Sequence, residues 1–160
     1  MSITLGQATL ADTDELVQLR LAYLEADFGE LTADQKEQLP LEIRPYLARH
    51  MGSDLLVFVA RGDKSEGAPI VSCAWLLLVE KPPSPRFPHG KTGVLFNVYT
   101  APSSRRQGIA SRVMRELIEQ ARELKLDVLE LHATDEGYPL YLSLGFVDDS
   151  STHDPMRMML

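Results

Sequence analysis

Cysteine is nearly missing from this chain: Cys73 is the only one in 160 residues. A single thiol cannot build an internal disulfide framework, and such scarcity fits a reducing compartment. Basic residues are also short, 16 lysines and arginines against 23 acids, for a formal net charge of −7. A nucleic-acid binder should show a basic face, so that class of partner is set aside. No apolar run approaches the roughly 20 residues of a membrane-crossing helix, and no basic segment leads into an apolar one as in a signal peptide. His50, His89 and His153 lack metal-ligand spacing, so no metal is expected. Internal repeats and low-complexity tracts are absent. These gaps place the chain in the cytoplasm, with neither membrane nor nucleic acid for a partner, and leave a homodimer open.

What is present is ordinary for a globular protein, 44% hydrophobic and 24% charged, and the length suits one domain over residues 1–160 with a substantial core. Ile3 to Ala8 reads as a first strand. Asp12 with Glu15 resembles a capping box, and Leu16, Leu19, Tyr23 and Ala26 recur at helical spacing to about Asp27. A second helical region begins at Thr32, where Pro40 and Pro45 predict either two short helices or one kinked one. Leu55 to Ala60 and Ile70 to Glu80 read as a hairpin around a turn-rich segment. After a proline-rich loop come a strand at Val94 to Thr100, a helix from about Arg105 to Leu124, and a strand at Asp127 to Ala133. The helix should bury Ala110, Val113, Leu117, Ala121 and Leu124. The crossover through it makes its two strands parallel. Pro139 to Leu144 reads as a short helix, with weaker strand patterns at Phe146 to Asp149 and Met156 to Leu160. The order β-α-α-β-β-β-α-β-α-β-β is α+β with a mixed sheet.

The stretch from Val94 to Leu124 carries the chemistry. Between strand and helix, the loop gathers Arg105, Arg106, Gln107 and Gly108 where the helix should begin. A helix N-terminus offers unpaired N–H groups and the positive end of the macrodipole, and glycine lets an anion approach closely. The two arginines add planar donors suited to phosphate. This is not a Rossmann loop, because only Gly108 is present where three glycines are required. Gly90-Lys91-Thr92 is not a P-loop either, since the first glycine of that pattern would fall at Pro85.

Arg105-x-x-Gly108-x-Ala110 after a strand resembles the Q/R-x-x-G-x-G/A signature of the GNAT superfamily of acetyl-CoA-dependent N-acetyltransferases. Downstream, Leu140-Tyr141-Leu142-Ser143-Leu144-Gly145-Phe146 is similar to that family's LYxxxGF segment. The resemblance covers nearly the whole chain. It implies the GNAT acyl-CoA N-acyltransferase fold, acetyl-CoA as co-substrate, and a small-molecule or peptide amine as acceptor, attacked directly within a ternary complex. A non-catalytic acyl-CoA-binding or regulatory module of the same fold is the alternative.

By the same resemblance, backbone N–H groups of Arg106, Gln107, Gly108, Ile109, Ala110 and Ser111 would hold the pyrophosphate, beside Arg105. Val98, Tyr99 and Thr100 would pair with the pantetheine arm, with the Val98 N–H facing the developing oxyanion. Tyr141 would protonate the departing thiolate. The fourth-strand glutamate that some members use as base is replaced by apolar Val94, Leu95 and Phe96. His132 takes the position of another member's glutamate and is the candidate base, on one strand face with Glu130. The family's asparagine after this strand is replaced by Thr134-Asp135-Glu136-Gly137. Cys73 reads as a core residue, and the acids from Glu25 to Glu37 as a solvated face bordering the acceptor site.

Overall fold

In the computed structural model, residues 2–160 are described. Five strands form one sheet in the order β1 (Thr4–Gln7), β2 (Leu55–Arg61), β3 (Ile70–Glu80), β4 (Lys91–Thr100) and β5 (Val128–Glu130). The first four pair with one another antiparallel, and β5 pairs with β4 in parallel. Helices α1 (Thr13–Phe28) and α2 (Ala33–His50) lie between β1 and β2 in the chain, α3 (Ile109–Glu123) between β4 and β5, and α4 (Tyr138–Ser143) follows β5. The mixed α+β sheet is the architecture the sequence predicts.

Strand alternation divides the core between the two faces of the sheet. Val57, Val59, Cys73 and Trp75 pack against Leu16, Val17, Ile43 and Leu47 of α1 and α2. Phe58, Ala60, Ala74 and Leu76 pack against Val113, Met114 and Leu117 of α3. Replacing Leu117, which is fully buried, by alanine is expected to cost about 2–5 kcal/mol in a urea unfolding series, the range for a large-to-small core change.

Of the two forms the sequence allows for the second helical region the single helix is found, whereas α3, β5 and the two C-terminal strands depart from expectation. The second helical region is one continuous helix, closed at its start by Thr32, whose hydroxyl accepts from the Gln35 N–H at 3.1 Å while the Gln35 side chain accepts from the Thr32 N–H at 2.9 Å. Pro40 and Pro45 lie inside it. Each removes one N–H, but the carbonyl partners thereby lost belong to Lys36 and Leu41, both on the exposed side where water can serve them. Helix α3 starts at Ile109 rather than Arg105, because Arg106 and Gly108 adopt positive φ of 61° and 73°. Its buried stripe therefore holds Ile109 and Met114 in place of Ala110 and Leu124.

Strand β5 ends at Glu130, three residues short of Ala133. No strand forms at Phe146–Asp149 or Met156–Leu160. In that segment local side-chain bonds compete with a ladder. Asp149 Oδ1 accepts from the Ser151 N–H at 3.0 Å and from Arg86 at 3.0 Å, and Ser151 Oγ accepts from the His153 N–H at 3.2 Å. Met156, Met158, Met159 and Leu160 are left exposed.

Candidate active site

The site begins with a parting of strands. β4 and β5 pair only at Thr92–Val128, Gly93–Leu129 and Val94–Glu130. β4 then runs on to Thr100 with no partner on that side. Its course changes at a bulge: Cys73 faces Tyr99 and Trp75 faces Phe96, so two steps on β3 span three on β4. The buried Asn97 sits there with φ of 52°, a conformation asparagine tolerates better than most residues.

Its side chain fixes the bulge from two sides. Asn97 Oδ1 accepts from Arg20 of α1 at 3.3 Å, and Nδ2 donates to Cys73 Sγ at 3.6 Å. The Cys73 thiol in turn donates to the Asn97 carbonyl at 3.4 Å. Burial pushes this thiol up to about 11, so it stays protonated and serves as a core donor.

The loop after β4 is braced rather than loose. Ala101 N–H donates to the Val71 carbonyl at 2.8 Å. Arg105 Nε donates to the Thr100 carbonyl at 2.9 Å, and its guanidinium lies 5.5 Å from the Tyr99 ring centre. Arg105 thus spends one donor and its flat face on holding β4 to the loop. Arg106, Gln107 and Gly108 are exposed. Helix α3 has no side chain capping its first turn, and the first bond from its start is the Arg112 N–H to the Gly108 carbonyl at 3.2 Å. The N–H groups of Ile109, Ala110 and Ser111 are therefore free for an anion. The Ile109 side chain is buried, so only its backbone can contribute.

A cleft of about 370 Å³ opens beside this loop, lined by Val98, Tyr99, Thr100, Arg105, Ala110, His132 and Tyr141, with Tyr23 and Asp27 of α1 opposite. It brings together seven of the residues the sequence singled out. Arg106, Gln107, Gly108, Ile109 and Ser111 are not part of its lining and belong to the helix start at its end.

Tyr141 is aimed by the turns on either side of α4. The Gly137 N–H donates to Thr134 Oγ1 at 3.1 Å, and the Phe146 N–H donates to the Tyr141 carbonyl at 3.0 Å. Phe146 meets the Tyr141 ring edge-on, centroids 5.9 Å apart. Burial, and secondarily the neighbouring Tyr23, push the Tyr141 phenol up to about 12. Tyr138 is tied up elsewhere, its hydroxyl donating to Asp148 at 2.8 Å. His132 is exposed, beyond the end of β5. Glu130, which strand alternation would set beside it, pairs with Lys81 at 3.1 Å instead.

Three participants escaped the sequence reading: Arg20, Tyr23 as a cleft residue, and Asn97. The one available signal was Asn97, a lone polar residue inside an apolar strand run. Among the described residues no group of three or more His, Cys, Asp or Glu side chains converges as metal ligands, and no helix is long and apolar enough to cross a membrane.

A sheet splayed between two parallel strands, with an uncapped helix start at its mouth, defines the acyl-CoA N-acyltransferase architecture. The sequence profile of the Acetyltransferase (GNAT) family matches residues 14–146, and the chain belongs to that family. A predicted acetyltransferase from Clostridium acetobutylicum solved with acetyl-CoA is 25% identical, with 97% of this chain and 96% of that one covered and a TM-score of 0.79. The fold is shared by a ribosomal-protein-alanine N-acetyltransferase from Brucella melitensis, 18% identical over 98% and 100% of the two chains, TM-score 0.70. It is shared as well by a glucosamine-6-phosphate N-acetyltransferase from Arabidopsis thaliana, 17% identical over 98% and 99%, TM-score 0.65. No curated protein matches the sequence.

Proposed function

We propose that the chain acts as a single domain over residues 1–160 and transfers an acetyl group from acetyl-CoA to a primary amine by direct attack in the cleft between β4 and β5. The observation that carries this reading is the convergence of the uncapped α3 start, the unpaired edge of β4 and the Tyr141 phenol on one opening. Acetyl-CoA supplies an activated thioester.

The residues supply the rest. The free N–H groups of Ile109, Ala110 and Ser111 bind pyrophosphate, helped by the helix dipole and by Arg106. The open edge of β4 at Val98 and Tyr99 accepts an extended arm as a neighbouring strand would. The Val98 N–H stabilises negative charge developing on the thioester oxygen. The amine nitrogen forms the new C–N bond as the C–S bond breaks. One proton leaves the ammonium before attack, a second leaves nitrogen as the amide forms, and one proton ends on sulfur. Tyr141 donates a hydrogen bond to that sulfur as its charge appears. His132 takes the first proton, directly or through water.

A thiol-release assay with acetyl-CoA over an amine panel tests the reading, preceded by a thermal-shift measurement with the cofactor alone. Stabilisation by acetyl-CoA together with thiol release on at least one amine supports it. Stabilisation with no release on any amine would favour a binding module instead. For His132, kcat/KM is expected to rise with pH through an ionisation that His132→Gln removes. An ionisation belonging to the amine would survive the substitution. An unaltered profile and near-normal rate in that variant would take His132 out of the mechanism.

A further inference from the structure

Arg20 is a half-buried cation without an anion. Every salt bridge among the described residues uses other side chains. Its one hydrogen bond goes to a neutral acceptor, Asn97 Oδ1 at 3.3 Å. Its two aromatic contacts, with Tyr23 and Trp75, are each 5.9 Å to the ring centre, at the outer limit for a useful cation–π attraction. Burial disfavours its charged form, and only the Tyr23 and Tyr46 phenols oppose that. Around it donors outnumber acceptors. Tyr23 and Tyr46 make no hydrogen bond of their own among the described residues; burial first, then the carboxylates of Asp27 and Asp54 respectively, raise their phenols, and Arg20 offsets this only in part. The Trp75 indole N–H, in a residue only 4% exposed, has no acceptor beyond the weak sulfur of Cys73.

The position is as telling as the imbalance. Arg20, Tyr23 and Asp27 recur at i, i+3 and i+7, on one face of α1. Tyr23 and Asp27 line the cleft, and Tyr23 lies close enough to Tyr141 to raise its phenol. Arg20 itself reaches the residue just before Val98.

We propose that the acceptor amine carries a carboxylate, received by Arg20 and Tyr23 of α1 with the Tyr46 hydroxyl of α2, beside the cleft that Tyr23 lines. This rests on the acetyltransferase reading and names the substrate class of that same site. A guanidinium offers a planar fork to a carboxylate, and the phenols complete the donor set. The ammonium end meets Asp27, which lines the same cleft and has no ion pair among the described residues. A zwitterionic amine answers both charges. A polyamine would press a second cation against Arg20.

The test compares amino acids with their primary amides as acceptors, by thiol release from acetyl-CoA, in the unaltered protein, Arg20→Met and Arg20→Lys. The acids are expected to be preferred in kcat/KM by roughly 10- to 100-fold, the scale of a hydrogen-bonded charge. Arg20→Met should erase that preference and Arg20→Lys should keep part of it; since Arg20 also braces Asn97, the readout is the acid-to-amide ratio within each protein and not the absolute rate. Amides used as well as acids, or a ratio untouched by Arg20→Met, would overturn the proposal and leave the transferase reading standing. Binding is read separately from the thermal shift that N-acetyl amino acids produce in the presence of coenzyme A. A shift lost in Arg20→Met supports the site, and one equal in both proteins, or absent from both, overturns it. Thiol release from no amine, with the Arg20-dependent shift intact, would sink the transferase reading and keep the carboxylate site.

Discussion

Tyr141→Phe is expected to lower kcat by roughly 10²–10³-fold, the loss that follows removal of one donor aimed at developing charge, and to leave acetyl-CoA binding unchanged. The ring keeps its edge-on contact with Phe146 and its place in the core on the α3 side, so the melting temperature should move little. The size of the effect follows from what the hydroxyl can do. With the phenol at about 12 and a thiol at a reference value near ~8.5, full proton transfer to the leaving sulfur runs more than about 10³-fold uphill. Tyr141 therefore acts chiefly as a hydrogen-bond donor to the thiolate, and the proton that ends on sulfur comes from the acylated nitrogen, directly or by way of solvent. A phenol held that high stays protonated across any practical assay range. Its removal should depress the whole pH–rate curve without moving its limbs, whereas loss of His132 should move a limb. A Tyr141→Phe enzyme with kcat within threefold of normal at every pH would leave the thiolate to solvent alone.

The parts of this protein that the sequence discloses are those fixed by local pattern. Val94 to Leu124 declares strand, loop and helix through an apolar run, a proline, a glycine and a 3.6-residue period, and β4 and α3 stand where that pattern puts them. Tyr141 is found by its spacing from Gly145 and Phe146. The bulge at Asn97 is different. It arises from a backbone conformation held by Arg20, 77 positions away, and by Cys73, 24 away, and no local pattern encodes such contacts.

The same holds for the pairing of charges. Arg105 looks like a phosphate ligand in the sequence, and its bond to the Thr100 carbonyl becomes visible only once the loop is folded. Glu130 and His132 share a strand face on paper, but β5 ends before the second of them and Lys81 takes the carboxylate. After Phe146 and Val147, Asp149 and Ser151 bond to nearby backbone instead of a neighbouring strand.

Gly108→Glu should weaken acetyl-CoA binding by about 10²-fold or more while the fold survives, and the two halves of that expectation have separate causes. Gly108 holds φ of 73° and ψ of 10° at the start of α3, so any side chain there carries the left-handed penalty of roughly 1–2 kcal/mol. A Cβ built on it meets no atom within 4 Å, so crowding adds nothing to that cost. Gly108→Ala shares the strain and lacks the charge, and the two variants should lose similar amounts of thermal stability. Binding is where they part. The glutamate carboxylate would stand beside the free N–H groups of Ile109, Ala110 and Ser111, competing with pyrophosphate for the same positive helix end and repelling it. Charge-assisted bonds to phosphate are among the stronger ones a backbone makes, at roughly 1.5–3 kcal/mol each. Losing one or two of them, with repulsion added, accounts for the expected factor. Calorimetric titration of acetyl-CoA into the three proteins decides it. If the Gly108→Glu protein binds as tightly as the Gly108→Ala protein, the pyrophosphate does not sit at the start of α3.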